Sequence, residues 1–323
     1  MITKAKSRAN QMRKKGMRLA SRARKKALSN VTLPKRETVA KKKVIKGFSK
    51  DVYKEFKRQG KSLIQWLNRK GVLNRLEAYS RRHYPDLYDK NYTASIVEVT
   101  KAITDAQRAI VDKYIKGWDK SVKPENMEKV FAKWHLVAAD MGGQQALNDL
   151  GISLAFHLKD PAMLEALAER GVKITGLINE KTLNDFRNIL VNSYMEEGIS
   201  PYEVKRRIKG LFTKTYKNRA MTIARTETGT AQVYTQHATY KNNGIKFKMW
   251  LALIDQRTRA SHEYVNGQVV KIDEPFDVDG VSMQHPFDGS APSQEIVNCR
   301  CDEEAIIEGW SVPEDPWKGE AIE

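Results

Sequence analysis

From about residue 51 to residue 240 the apolar positions recur at helical spacing. Between Ala94 and Trp118, the residues Ile96, Val99, Ile103, Ala106, Ile110 and Tyr114 fall at alternating three- and four-residue steps. Lys101, Asp105, Arg108 and Asp112 turn the other way, which predicts an amphipathic helix. Two to three heptads of this pattern point to ordinary bundle packing before a coiled coil. Further helices are expected over 124–140 and 180–198, the second with Gly198 as its C-cap. Ser200-Pro201-Tyr202-Glu203 reads as a helix start, with Ser200 as cap, Pro201 in the first turn and Glu203 closing a capping box. A short helix to Leu211 follows, then a longer one from about Asn218 to Asn242, ended by Asn242-Asn243-Gly244. Trp66, Trp118 and Trp134 lie on apolar helical faces and read as core.

After Gly244 the period changes to two. Ile245, Phe247, Met249, Leu251 and Leu253 alternate with Lys246, Lys248, Trp250 and Ala252, the pattern of a strand, with Trp250 read as core. Asn266-Gly267, between Tyr264-Val265 and Gln268-Val269-Val270, predicts a hairpin. Pro275, Gly280, Pro286, Gly289 and Pro292 then punctuate a loop-rich stretch, and a last short strand is expected over 296–301. The fold class is α+β: a mostly helical body, a small strand-containing C-terminal domain and a disordered or loosely helical basic N-terminal arm. The divisions expected are an arm at 1–50, a helical body at 51–217, the strand-containing domain at 218–308 and an acidic tail at 309–323.

Charge changes this picture at one end only. The 323 residues carry a net charge of +18. Residues 1–50 hold 18 Lys or Arg against the single acid Glu37, so the arm is +17 and the rest of the chain only +1. Lys4, Lys6, Arg8, Arg13, Lys14, Lys15, Arg18, Arg22, Arg24, Lys25, Lys26, Lys41, Lys42 and Lys43 are the expected contacts to nucleic acid. Neutralising phosphates releases counterions, so binding should be strong, salt-sensitive and blind to sequence. A solvated tail, or an arm docked on an acidic partner, are the alternatives. No run approaches the roughly 18 apolar residues of a membrane span, and no apolar core follows the basic start as in a secretory leader.

Two cysteines exclude a disulfide scaffold and fit assembly in a reducing cytoplasm. Cys299 and Cys301, joined by His262 and His285, make a chemically sensible tetrahedral zinc set. On a strand the two sulfurs would share a face. Two reduced cysteines packed as small hydrophobes, or a strained disulfide, remain open. Zinc is the one candidate cofactor. A catalytic reading would make Asp255 and His262 the acid and base of a nuclease or transferase site, a metal-dependent nuclease first. Without a second carboxylate, a nucleophile or a phosphate-cradling loop, the simpler role for Asp255 is to accept hydrogen bonds from Arg257, Arg259 and turn amides. Arg225 and Glu227 do not share a helix face, so they are expected to pair with other elements of the domain, in a core-clamping role ahead of a catalytic one.

An ordered set of motifs runs through this region. Ile223-Ala224-Arg225-Thr226-Glu227-Thr228 on a helix leads to Trp250 on a strand, then to Asp255-Gln256-Arg257-Thr258-Arg259-Ala260-Ser261-His262. His285-Pro286-Phe287-Asp288 and Asn298-Cys299-Arg300-Cys301 follow. The combination resembles the head morphogenesis domain of the phage Mu F-type minor head proteins, over about a quarter of the chain. The resemblance implies a structural, non-enzymatic minor capsid protein of a tailed phage. It would sit in the virion, at the portal vertex or in the head interior, after assembly in the host cytoplasm. The implied partners are the portal protein, major capsid or scaffold proteins and, through the arm, double-stranded DNA, with no membrane. Some members carry an enzyme after the Asn298–Cys301 element; with 22 residues beyond Cys301, none is expected here. A nuclease acting on phage DNA and a scaffolding adaptor that never meets DNA are the competing readings.

Overall fold

In the computed structural model the described residues are 38–69, 71–83, 85, 111–113, 115, 116, 118, 122–193 and 200–307. Most of the expected arm (1–37), most of the Ile96–Tyr114 stripe, Gly198 and the expected tail therefore lie outside them. Helix α1 spans Val39–Arg69 and begins inside the stretch 1–50. Thr38 starts it, its Oγ1 accepting the Lys41 N–H at 3.1 Å. Val44, Ile45, Phe48, Val52 and Phe56 are buried along it. Lys41, Lys42 and Lys43 thus belong to a packed helix. Their charge density hides a three- and four-residue apolar period that continues the body. α2 is Val72–His83.

α3 spans Pro124–Asp149, nine residues past the expected end. Gly142 and Gly143 lie within it, both at sites of close approach. A Cβ on Gly142 would lie 2.0 Å from the Gln232 carbonyl oxygen, and one on Gly143 2.3 Å from the Phe156 ring. α4 spans Pro161–Val191, also longer than expected. α5, Pro201–Gly210, is capped by Ser200, whose Oγ accepts the Glu203 N–H at 3.4 Å. It runs without a break through a π turn at Leu211–Thr215 into α6, Tyr216–Asn242. α6 ends as expected. Gly244 takes φ 75°, its N–H bonds the Lys241 carbonyl, and the Ile245 N–H bonds that of Tyr240.

The chain divides into two compact units. One comprises 48–132 and 168–221, and its interior is a chain of rings. Phe56 and Tyr216 lie 4.8 Å apart, Tyr216 and Phe212 4.7 Å, Phe212 and Phe186 5.6 Å, and Phe186 and Trp118 5.2 Å. Trp118 is 1% exposed, as expected of a core residue. Arg219 lies over Phe56 and Tyr216, and its guanidinium donates to Thr182 Oγ1 and the Ile178 carbonyl.

The other unit comprises 1–47, 133–167 and 222–323. Its sheet has the order β2-β1-β5, all antiparallel, from β1 Phe247–Leu251, β2 Val269–Lys271 and β5 Asp302–Ile306. β3 Phe276–Val278 and β4 Val281–Met283 form a hairpin. Short helices α7, Ala260–Val265, and α8, Ser293–Ile296, complete it. Trp250, Phe276, Met283, Phe287, Val233 and both cysteines pack in one core. Among the described residues no helix is long and apolar enough to cross a membrane.

Two expectations fail here. Asn266-Gly267 does not join two strands, because Tyr264-Val265 end α7. Asn266 (φ −56°, ψ 124°) and Gly267 (φ 80°) instead make a type II turn, the Gln268 N–H bonding the Val265 carbonyl at 2.9 Å. Residues 296–301 are not a strand either. Asn298, at φ 56°, turns the chain so that the Cys299 N–H meets the Ile296 carbonyl at 3.1 Å, and the strand starts only at Asp302.

Candidate functional site

The residues singled out around the turn at 296–299 are fastened to one another. Arg225, on α6, donates to Asn298 Oδ1 at 3.2 Å. One residue on, Thr226 Oγ1 accepts the Asn298 N–H at 3.1 Å. Glu227, on another face, lies 3.3 Å from His135 Nε2, both side chains almost fully buried. The two motif residues thus contact different elements.

Asp255 is held from both sides of its loop. It accepts the Arg257 N–H at 2.8 Å, while its own N–H donates to Thr258 Oγ1 at 2.8 Å. The strong partner is Arg300, bidentate at 2.6 Å to both carboxylate oxygens. That guanidinium, with the Arg257 amide, holds the Asp255 carboxyl well below the usual carboxylate range. The expected Arg257–Arg259 pair is half realised. Arg257 approaches Asp255 only at 3.6 Å. Arg259 reaches instead the Val297 carbonyl, because it stands at the start of α7 facing the 296–299 turn. The partners shown for Asp255 are Arg300 and the 257–258 turn, and those shown for His262 are the two sulfurs and Glu295.

His262, Cys299 and Cys301 come together. His262 Nδ1 lies 3.2 Å from Cys301 Sγ and 3.5 Å from Cys299 Sγ, and the Cys301 N–H donates to Cys299 Sγ at 3.4 Å. All three are buried, and both cysteines are free thiols. Burial pushes the Cys299 thiol up, but Cys301 and His262 outweigh it and the net shift is well downward. Cys301, buried beside it, is pushed well up. On the far side of the ring, His262 Nε2 lies 3.0 Å from Glu295 Oε2, and Glu295 also accepts from Ser261 Oγ at 2.8 Å.

His285, the fourth expected ligand, is elsewhere. Its Nδ1 lies 2.9 Å from the Pro286 carbonyl, and its ring is 5.4 Å from that of His237. His237 lies 2.9 Å from Glu303. Burial lowers the His285 pKa, and Glu303 only partly offsets this. The spacing of residue types gave no means of separating these two imidazoles. Arg300 and Glu295 were missed altogether. Arg300 was readable only as the variable letter between two cysteines, and Glu295 stands in a four-residue helix with no period to mark it.

Residues 184–303 match the family described as Phage Mu protein F like protein. That segment is Mu F-like. Every clamp above except its His135 end lies within it, and its likeness is to phage head morphogenesis proteins. The chain is also similar to the NAD(+)–arginine ADP-ribosyltransferase EFV of Enterococcus faecalis, 28% identical over 222 residues, which are 67% of this chain and 44% of that protein. An uncharacterized protein of Haemophilus influenzae is 30% identical over 158 residues, 48% of this chain and 32% of that protein. The chain thus spans less than half the length of these curated relatives. No solved structure matches.

Proposed function

We propose that the chain is a minor head protein of a tailed phage, acting in head morphogenesis at the portal vertex or in the head interior. The observation that carries this is the Mu F-like segment, whose polar residues are spent on fastening its own turns. Arg225, Glu227, Asp255 and Arg259 each bond another part of the unit that holds residues 222–303, which supports a structural role for them.

DNA contact is the second half of the proposal, and it belongs chiefly to residues 1–37. They hold 13 Lys or Arg and one acid; Lys41–Lys43 add charge from α1. Replacing the basic residues of 1–37 by Gln in the full chain is expected to abolish binding to double-stranded DNA of any sequence. The unaltered chain should lose affinity steeply with salt, at a log–log slope near −0.9 per phosphate contact. Binding that survives the replacement leaves the scaffolding adaptor as the better reading. Presence in purified virions and co-purification with portal rings test the location, and absence from both overturns it.

The transferase named for the Enterococcus relative is assigned no role here. Arginine modification by the purified chain with NAD would reverse that assignment, as metal-dependent DNA cleavage lost in Asp255→Asn would restore the nuclease reading.

A further inference from the structure

The geometry points to a structural site for a thiolate-preferring divalent ion, zinc first, held by His262 Nδ1, Cys299 Sγ and Cys301 Sγ. It stands independently of the role in the head. The three donor atoms lie within 4.8 Å of one another. Around a tetrahedral zinc, with Zn–N near 2.0 Å and Zn–S near 2.3 Å, nitrogen and sulfur stand about 3.5 Å apart. The two N···S separations here are 3.2 and 3.5 Å, so the imidazole needs almost no movement.

The surroundings match such a site in two further respects. Glu295 Oε2 sits 3.0 Å from His262 Nε2, and a carboxylate on the far side of the ring is a usual neighbour of a metal-bound imidazole. The Cys301 N–H points at Cys299 Sγ, a donor that stabilises a metal-bound thiolate. The turn at Asn298 is what brings the sulfurs to one imidazole from a one-residue spacing. A fourth position is left for water or another small donor, and His285 has no part in it.

The ion would bridge α7 to the turn at 296–301. The same two segments are already joined by Arg259 to the Val297 carbonyl and by Ser261 to Glu295. Three ties between two short segments describe a cross-link, which makes the ion a structural one and its binding energy part of the folding energy.

The test uses the full chain purified under reductant. Elemental analysis is expected to find one zinc per chain, retained in His285→Ala and lost in His262→Ala and in the Cys299→Ser/Cys301→Ser pair. Should those variants fail to fold, the unaltered chain decides alone. Zinc should protect both thiols from a thiol reagent, a chelator should expose them and lower the melting temperature, and cobalt should give sulfur-to-metal charge-transfer bands. A folded chain that carries no zinc and shows no cobalt bands overturns the site. So does zinc kept by the double-Ser variant, or two sulfurs found joined as a disulfide.

Discussion

Lys248 is the second residue of β1, with 0% exposure. Its Nζ donates to the Gln284 carbonyl at 2.6 Å and lies 5.1 Å from the centroid of the Phe276 ring. Burial lowers its pKa from 10.5 to about 8, against the opposing pull of Glu303, Asp273 and Asp288. That gap corresponds to roughly 3 kcal/mol, or about 2 kcal/mol allowing for screening by water at the ammonium. Below pH 8 the amine is charged in both states and the native state carries the whole penalty. Between pH 8 and 10.5 the folded chain releases the proton while the unfolded chain keeps it, so stability rises with pH. Urea unfolding of the unaltered chain and of Lys248→Met across this range isolates the effect. The unaltered chain should gain about 2 kcal/mol on the variant between pH 8 and 10.5. A difference constant to within about 0.5 kcal/mol, or one of opposite sign, refutes the reasoning.

Gly229→Ala should destabilise by about 1–3 kcal/mol in urea, because its Cβ would stand 2.3 Å from the ring of the buried Phe287. Removing one partner of the buried His135–Glu227 pair, as in Glu227→Ala, should cost about 3–5 kcal/mol, and a loss under about 1 kcal/mol would show the pair to be dispensable. Asp255→Asn should speed hydrogen exchange at 255–259 and around Arg300, leaving α1 unaffected. Because Asp255 is held below its ordinary pKa, its contribution is complete above about pH 4 and fades as pH falls further, so variant and unaltered chain should converge in acid. His285, lowered by burial, must take up a proton on unfolding below about pH 6.5, so His285→Gln should lessen the loss of stability between neutral and mildly acidic pH.

Long periodic elements and end signals were legible in the sequence. The helix from Pro201, the Gly244 stop of α6, the strand at 247–251 and the buried Trp250 all follow from local chemistry. Signals with two structural meanings were not. The run of α3 past residue 140 was not expected, because the close approach of Gly142 and Gly143 to Gln232 and Phe156 is a tertiary fact. Asn266-Gly267 looked like a hairpin because a type II turn after a helix uses the same two letters. The site was half readable: Cys299, Cys301 and His262 were named from their chemistry. The Glu295 carboxylate beside His262, and the Arg300 lock on Asp255, stand around a turn at Asn298 that no periodicity announces. Lys248 was placed on the polar side of an alternating strand, whereas β1 is the central strand and both its faces are covered.

The sheet order β2-β1-β5 leaves β5 as an outer strand among the described residues, and that has a bearing on solubility. An outer strand offers backbone groups to any passing chain, and charged side chains are a usual guard against such pairing. Here the guards are Asp302 and Glu304, which flank the buried Glu303. Burial, with Asp149 adding to it, raises Asp302 to about 6 and Glu304 to about 7. The guard is therefore conditional. As pH falls from 7 to 5 both carboxyls are expected to lose their charge, and light scattering should show self-association setting in under mild acid before unfolding.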